Sequence, residues 1–374
     1  MTTGRTTALV LFFGAGGDTA VERRLDAVRI AIGSGTLRRA AEAGFAPLIA
    51  VTGAVAATAA FTAAGAEVVP PRTEPFHFGR ELADLATERG LVRLCALGAG
   101  AGALLRSGDL ATLRQELEAS DALVLSNNYY SADLIGLVPA SALAAIELPA
   151  TDNPLPRLLH QQAGLPSRQL TRSAATLLDV DTPADATVLL RHPQCPEELR
   201  AVGAWDVELG DRIDALMRII TTPEQELVVA GRVGAPVWSY LETQTACRVR
   251  MLAEERGMQA AGRDVSGEAR TALGFLYDAI GPEAFFARLA ELGDGLLLDS
   301  RVLFAHLGWH PTPAERFASD LFWVDGITDP DLRAFTAAAA AAPIPVLLGG
   351  QTLVSGVLWT MVDAAWSGFP ERVG

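Results

Sequence analysis

The stretch Ala8–Asp18, "ALVLFFGAGGD", decides the fold of the first half of the chain. An apolar run followed at once by a glycine-rich segment predicts a buried strand that ends in a turn leading toward a helix. Similar apolar runs recur along the first half, and amphipathic segments separate them. This alternation predicts an α/β fold with a doubly wound, mostly parallel sheet.

The predicted elements of the first half extend to about His192. The runs that predict strands are "ALVLFF", "PLIAVT", "AEVV", "LVRLCALG", "ALVLSN" and "ATLLDV", and the segments that predict helices are Val21–Ala43, Phe78–Arg89 and Asp109–Ala119. Beyond that point the pattern becomes mainly helical, as in "DRIDALMRII", "APVWSYLETQTACRVRMLAEERGM" and "DLRAFTAAAAA". Strand-like runs remain only at "ELVVAG", "GLLLDSRVLF" and "IPVLLGG". We therefore predict two domains, residues 1–195 and a mainly helical domain at residues 196–374.

The composition narrows the classes of function. The formal net charge is −14, and every one of the 30 basic residues is arginine, because the chain contains no lysine. A nucleic-acid surface needs clustered cations, so the sequence predicts no nucleic-acid partner. The absence of lysine also excludes a lysine base, Schiff base or phosphate clamp. The three cysteines are far apart in sequence, which indicates neither a disulfide framework nor a zinc finger.

Localisation and assembly follow from the apolar segments. The N-terminal apolar run is typical of a first strand rather than a signal sequence, so we expect a cytoplasmic protein. Two uncharged stretches, Ala43–Ala66 and Ala334–Val362, are long enough to span a bilayer, but their Gly, Pro, Thr and Gln residues favour buried strands and turns. We expect no membrane association. The 6 tryptophans and the apolar C-terminal region suggest a homo-oligomer.

Polar side chains follow the predicted strands of the first half. Because ligands bind beyond the carboxyl ends of the strands in an open α/β sheet, these residues are candidates to converge on a ligand. Carboxylate and amide oxygens near a glycine-rich loop suit Mg²⁺ that holds a nucleoside triphosphate. The candidates are Asn127, Asn128, Asp133, Asp152, Asn153, Asp179 and Asp181.

The stretch Leu177–Asp185, "LLDVDTPAD", has two interpretations. Its aspartates could bind a metal ion. Asp181 followed by Thr182 and Pro183 is equally typical of a strand that leads into a capped helix, with Asp185 as a first-turn charge. Local chemistry leaves both interpretations open.

The segment "AATLLDVDTPAD" resembles the closing motif of the nucleotidyltransferase family that includes 2-phospho-lactate guanylyltransferase and molybdenum-cofactor guanylyltransferase. "GFAPLIAVTG" is similar to the second strand of that fold, and "SADLIGLVPASAL" to the loop on its acceptor side. The resemblance covers about the first 190 residues. It implies a nucleotide-diphospho-sugar transferase-like fold and the transfer of a nucleoside monophosphate to a small phosphorylated acceptor with Mg²⁺.

The resemblance also implies roles for individual residues. The implied metal ligands are Asp179, Asp181 and Asp133; the implied nucleotide-binding residues are Gly14, Gly16, Gly17, Arg29, Asn127 and Asn128; and Arg23 and Arg24 would supply charge. The chain departs from the family in two places: it lacks the lysine that neutralises the phosphates, and an asparagine replaces the first metal aspartate. A non-catalytic nucleotide-binding or assembly protein is therefore the alternative hypothesis.

The second half offers a third hypothesis, an enzyme that acts on an anionic substrate. Charged residues lie among large apolar ones there, where unpaired charge is costly. They predict either a buried ion-pair network or a ligand pocket. These residues are Asp299, Arg301, His306, Arg316 and Asp320, of which Arg301 and His306 are the catalytic candidates. Arg250 and Glu255 could act with them, although the spacing of Arg250 and Glu254 favours a solvated, self-paired helix face. The apolar run around His306 favours a structural histidine over a catalytic one.

Overall fold

The computed structural model describes residues 6–203, 205, 207–259 and 261–367. These residues divide into two compact units, each discontinuous in sequence. The first unit is Met1–Ala15, Asp26–Asp179 and Pro196–Ala201, and the second is Gly16–Leu25, Val180–Cys195 and Val202–Gly374.

Strands and helices alternate along most of the chain. The strands are β1 (Ala8–Phe12), β2 (Leu48–Val51), β3 (Glu67–Val69), β4 (Leu94–Gly98), β5 (Leu123–Ser126), β6 (Leu134–Val138), β7 (Ser167–Gln169), β8 (Glu226–Gly231), β9 (Arg248–Ala253), β10 (Gly295–Asp299) and β11 (Val346–Gly349). The helices are α1 (Ala20–Glu42), α2 (Val55–Ala63), α3 (Phe78–Glu88), α4 (Ser107–Ala119), α5 (Leu155–Ala163), α6 (Ala174–Leu177), α7 (Pro183–Arg191), α8 (Glu197–Arg200), α9 (Val207–Ile220), α10 (Ala235–Gln244), α11 (Ala272–Ala290), α12 (Ser300–Leu307), α13 (Pro313–Asp320), α14 (Pro330–Ala340) and α15 (Gly356–Trp366). Short 3₁₀ helices occupy Ala140–Ala145 and Val324–Gly326.

The first unit is built on a seven-stranded sheet with the order β3-β2-β1-β4-β6-β5-β7. Only β6 runs antiparallel to its neighbours β4 and β5 among the pairings of this sheet. All five residues of β1 are buried, and they alternate between two apolar cores, with Leu9 and Leu11 in one core and Val10 and Phe12 in the other. A strand covered on both faces in this way is typical of a doubly wound sheet. The predicted α/β class with a mostly parallel sheet is confirmed.

The second unit contains a four-stranded sheet with the order β11-β10-β8-β9, and its strand pairs are parallel. The runs "ELVVAG", "GLLLD" and "PVLLG" supply β8, β10 and β11, as their apolar character predicts. Most of the remaining described residues of this unit are helical. The aromatic side chains of α11, α12 and α14, including Phe285, Phe304 and Phe335, pack in the core beside Val228 and Leu298 of the sheet.

Three segments differ from the prediction. "ATLLDV" begins as the four-residue helix α6, because Ser173 and Thr176 form a capping box at its start. "SADLIGLVP" contains strand β6, whose five residues are all buried, rather than a loop. "CRVRMLA" forms strand β9 instead of continuing the preceding helix. The alternation of Arg248 and Arg250 with the less exposed Val249 and Met251 has the two-residue period of a strand.

The two uncharged stretches fold as separate short elements. Ala43–Ala66 contains β2 and α2, and Ala334–Val362 contains the end of α14, β11 and the start of α15. Within the described part of the chain, no helix has the length and apolarity that a membrane crossing requires.

Candidate functional site

The first candidate site is the crevice at the carboxyl ends of β1 and β4. From β1 the chain adds β2 and β3 on one side of the sheet, and it then returns to place β4 on the other side. Ligands bind in open α/β sheets at such a change of direction. The Ala99 backbone N–H donates to the Phe12 carbonyl at 2.9 Å, so the two strand ends lie side by side.

Glycines keep this crevice open. A Cβ atom added to Gly14, which follows β1, or to Gly98, which ends β4, would meet no atom within 4 Å. Gly14 is exposed and lies directly beyond the buried Phe13. A ligand phosphate could therefore approach the main chain at both strand ends without a side chain in the way.

Asn127, a predicted nucleotide ligand, forms structural hydrogen bonds. Its carbonyl oxygen accepts from the backbone N–H groups of Asp133 at 3.0 Å and Leu134 at 3.3 Å, and its amide donates to the Asp133 carboxylate at 3.0 Å. Its buried side chain thus fixes the connection between β5 and β6. Asn128 accepts from the Tyr130 backbone N–H at 3.1 Å, which is a local turn. In these contacts both residues stabilise the connection between β5 and β6.

The start of α1 already holds a carboxylate. Glu22 accepts from the Thr19 backbone N–H at 3.1 Å and from the Thr19 hydroxyl. Its side chain is buried against Gly17, where an added Cβ would lie 2.5 Å from Glu22 Oε1. A negative charge beside Gly17 opposes the binding of a phosphate at this glycine. The sequence interpretation of Gly16 and Gly17 as a phosphate cradle did not take Glu22 into account.

The three arginines predicted to neutralise phosphates have different surroundings. Arg23 is exposed, and Arg24 lies over the Trp205 ring with 4.9 Å between the guanidinium carbon and the ring centroid. Arg29 lies 4.0 Å from the Asp26 carboxylate, and its Nε is buried without a hydrogen-bond partner among the described residues. Their proposed roles stay predictions.

The stretch "LLDVDTPAD" is a helix start, as the capping interpretation proposed. Thr182 is the N-cap of α7 and accepts from the Asp185 backbone N–H at 3.3 Å, while the Asp185 carboxylate accepts from the Thr182 backbone N–H at 2.8 Å. The same carboxylate oxygen accepts from the Thr352 hydroxyl at 2.9 Å. The cap is therefore Thr182 rather than Asp181, whose side chain is exposed.

Asp185 is the most unusual carboxylate of this stretch. It is fully buried, and its Oδ1 has no hydrogen-bond partner in the described part of the chain. Burial, reinforced by the negative charge of Asp181, raises the pKa of Asp185 to about 7. Sequence reasoning assigned this residue only a first-turn charge and missed its contact with Thr352.

The aspartates implied as Mg²⁺ ligands have separate surroundings in the structure. Among the residues that the structure describes, no three or more His, Cys, Asp or Glu side chains are arranged to hold a metal ion. Asp179 forms an isolated β-bridge with Ala101, Asp133 contacts Asn127, and Asp181 is exposed. Mg²⁺ is commonly held by one or two carboxylates together with substrate phosphates, so the assignment of these aspartates as metal ligands stays a prediction.

The second candidate site lies at the carboxyl edge of the second sheet, where its strand order changes direction between β8 and β10. Arg232, which follows β8, donates to both carboxylate oxygens of Asp299, the last residue of β10, at 2.6 and 3.0 Å. Both side chains are buried. Asp299 also caps α12 by accepting from the Arg301 backbone N–H at 3.2 Å. Arg232 was not predicted as a site residue, although it directly follows the predicted strand "ELVVAG".

A second buried ion pair adjoins this edge. Arg301 donates to both oxygens of Asp320, the last residue of α13, with one bond at 2.9 Å. Burial alone would lower the pKa of Arg301, but the Asp320 carboxylate raises it, so the guanidinium stays charged. The predicted clustering of Asp299, Arg301 and Asp320 as an ion-pair network is thus observed.

His306 has a structural role in the described contacts. Its Nδ1 accepts from the Thr271 backbone N–H at 3.1 Å, which places the proton on Nε2, and Nε2 lies 3.3 Å from the Asp278 carboxylate. The ring packs edge-on against Phe275. Because both nitrogens are engaged, the ring positions α11 against α12 rather than facing an open site, which favours the structural interpretation.

The other charged candidates of the second half are separated. Arg250 lies on β9 and pairs with Glu226 at 3.1 Å, not with Glu254 as a helix would place it. Glu255 pairs with Arg263, which holds the pKa of Glu255 below its usual range. The prediction that Arg250 pairs with Glu254 on a helix face is therefore wrong, because this segment is a strand and a following loop.

Comparison with known proteins gives a likeness of fold over about half of the chain. No known family model and no curated protein matches the sequence. A putative nucleotide-diphospho-sugar transferase from Desulfovibrio desulfuricans G20 is 18% identical, covers 57% of this chain and 96% of its own, and has a TM-score of 0.38. CMP:2-keto-3-deoxy-manno-octonic acid synthetase complexed with CTP is 16% identical, with coverages of 48% and 94% and a TM-score of 0.36.

A cytidylyltransferase from Leptospira borgpetersenii serovar Hardjo-bovis (strain JB197) is 14% identical, with coverages of 56% and 93% and a TM-score of 0.37. These are proteins of the nucleotide-diphospho-sugar transferase and cytidylyltransferase type. The α/β class of the first unit rests on its own mostly parallel seven-stranded sheet. The narrower resemblance to guanylyltransferases stays a prediction.

Proposed function

We propose that this chain is a nucleotidyltransferase-like protein that binds a nucleoside triphosphate in the β1–β4 crevice of its first unit. The observation that carries the proposal is the switch point in strand order between the parallel strands β1 and β4, with open space at Gly14 and Gly98. Backbone N–H groups at a strand end suit phosphate binding, and glycine permits the closest approach. This mode of binding requires no lysine, which the chain lacks.

In the proposed reaction, an oxygen of a small phosphorylated acceptor attacks the α-phosphorus of the bound triphosphate. The bond from that phosphorus to the bridging oxygen of the β-phosphate breaks, and pyrophosphate leaves with the electron pair. Mg²⁺ enters this proposal only as the ion that accompanies a triphosphate, because the described residues form no group of ligands for it. No step is assigned to the metal.

A second candidate function is nucleotide binding without transfer. Two observations favour it: the Glu22 carboxylate is buried against Gly17, and Asn127 is committed to the β5–β6 connection. Both residues belong to segments that the family resemblance assigned to the nucleotide. A protein of this kind would bind a nucleotide and keep it intact.

The test is a thermal-shift titration with each nucleoside triphosphate, with and without Mg²⁺, on wild type and on Gly14→Ala. A ligand at a hundredfold over its Kd stabilises by about 2.7 kcal/mol, which raises the Tm measurably. The added methyl group of Gly14→Ala meets no protein atom, so it should leave the Tm of the free protein unchanged and abolish the nucleotide-dependent shift. Ala119→Val, at the exposed far end of α4, is the control variant.

The outcomes separate the two candidates. A shift that Gly14→Ala loses and Ala119→Val keeps supports binding in the crevice, and pyrophosphate release with phosphorylated acceptors then identifies transfer. Binding with no pyrophosphate release supports the non-catalytic candidate. If no nucleotide raises the Tm of wild type, or Gly14→Ala keeps the full shift, the proposal is wrong.

A further inference from the structure

A cavity of about 220 Å³ opens in the second unit, beside the buried ion pairs. A cavity of this size suits a small ligand. It is lined by the loop that follows β9 and by residues of α12, α13 and the segment between them. The side chains that define it are Met258, Gln259, Arg301, Phe304, Trp309 and Arg316.

The two lining arginines differ in their partners. Arg301 is held by Asp320, which compensates its charge. Arg316 forms no ion pair within 4.0 Å among the described residues, and its buried Nε has no hydrogen-bond partner there. Burial and the nearby charge of Arg301 lower the pKa of Arg316. The Asp320 carboxylate, which pairs with Arg301, offsets this effect only in part, so a positive charge without a carboxylate within 4.0 Å among the described residues remains at the cavity wall.

The opposing charge in the cavity is limited. Asp264 lines the cavity, and its carboxylate accepts from the adjacent Val265 backbone N–H at 3.0 Å, which forms a local turn. His310 also lines the cavity and lies beyond the end of α12. The charged lining therefore favours an anion near Arg316.

Two aromatic side chains form part of the cavity wall. Phe304 and Trp309 face the cavity, and their rings are 5.8 Å apart. Trp309 is also held edge-on by Tyr277 and Phe335. Rings fixed in this way present a flat surface before any ligand arrives, which reduces the entropy lost on binding.

We propose that this cavity binds a small organic anion whose carboxylate or phosphate head contacts Arg316 beside Arg301, and whose flat apolar body packs against Phe304 and Trp309. Guanidinium groups recognise both kinds of head by charge-assisted hydrogen bonds. The site belongs to the second unit, so it stands independently of the nucleotide crevice proposed for the first unit.

The experiment is isothermal titration calorimetry of the full chain with benzoate and phenyl phosphate, and with benzamide as the uncharged equivalent of benzoate. We expect at least one anion to bind and benzamide to bind at least tenfold more weakly. Arg316→Gln should lower the affinity for the anion by about 10- to 100-fold, because a hydrogen bond to a charged group contributes about 1.5–3 kcal/mol. Arg288→Gln, which alters an exposed arginine of α11, should leave the affinity unchanged.

The relative affinities of benzoate and phenyl phosphate identify the preferred head group. Equal affinities of the wild-type protein for benzamide and benzoate would overturn the proposal. This comparison needs no variant, so the proposal can be tested even if Arg316→Gln fails to fold. Absence of binding by both anions, or full affinity in a folded Arg316→Gln, would also overturn it.

Discussion

The two sheets of this protein share a topological feature and differ in the chemistry of its residues. Each sheet extends to both sides of its first strand, which creates a switch point in strand order between β1 and β4 in the first unit and between β8 and β10 in the second. The first crevice is bounded by Gly14 and Gly98, with open space around both. The second edge carries the buried pair of Arg232 and Asp299. Topology therefore determines where a crevice forms, and the residues at the strand ends determine what it can bind.

The two edges should also respond differently to mutation. A glycine-lined edge exposes main chain and buries no charge, so small substitutions there should affect ligands more than stability. An edge made of buried ion pairs has already lost the hydration of its charges, and each partner is needed to compensate the other. Substitutions at the two edges therefore test this contrast.

The largest expected effect is that of Asp299→Ala. The substitution leaves Arg232 buried without its bidentate partner and removes the cap of α12. We expect the free energy of unfolding to fall by about 3–5 kcal/mol, as measured by urea denaturation.

The matched control is Asp214→Ala, which breaks the half-exposed pair with Arg191. An exposed pair contributes about 0–1 kcal/mol, so this variant should remain close to wild type. Equal losses in the two variants would contradict the distinction between the buried edge and an ordinary surface pair.

The next effect is the pH dependence caused by Asp185. Burial raises its pKa from the ordinary value of 3.8 to about 7 in the folded state. The folded protein therefore binds more protons than the unfolded chain between these values, and stability is lost as the pH rises from about 4 through 7. Because one pKa unit corresponds to about 1.4 kcal/mol, wild type should lose about 3 kcal/mol relative to Asp185→Asn between pH 5 and pH 8. Parallel stability profiles of the two proteins would refute a raised pKa.

Much of the first unit could be predicted from its sequence, because strands covered on both faces form continuous apolar runs. β1, β2, β4 and β5 all lie within predicted runs. The incorrect predictions concern segments whose sequence pattern is compatible with both a helix and a strand. "ATLLDV" is apolar enough for a strand, yet the capping box of Ser173 and Thr176 begins a helix there. The sequence of β9 is compatible with a helical spacing of charges and with the alternation of a strand, and the segment forms a strand that pairs with β8.

The candidate sites were less predictable, because pairing across distant segments leaves little trace in sequence. The capping role at "DTPAD" follows from local chemistry and was among the two open interpretations. The contact of Asp185 with Thr352 joins residues 167 positions apart, and no local pattern indicates it. That Arg316 Nε has no hydrogen-bond partner among the described residues is likewise a property of packing. Residue types therefore indicated which groups were candidates, and only the structure shows which of them meet.

The smallest predicted effect compares a glycine of each unit. Gly274 on α11 lies against the His306 ring, and an added Cβ would be 2.3 Å from it, whereas a Cβ at Gly14 would meet open space. Overpacking should cost Gly274→Ala about 1–3 kcal/mol, offset by about 1 kcal/mol of helix propensity, for a net loss of about 1 kcal/mol. Gly14→Ala should stay within about 0.5 kcal/mol of wild type. In a His306→Ala background the clash is gone, so Gly274→Ala should become stabilising in urea denaturation. The same cost in both backgrounds would show that the His306 ring is not what requires glycine at this position, and the contrast between a glycine kept for packing and one kept for a ligand would lose its support.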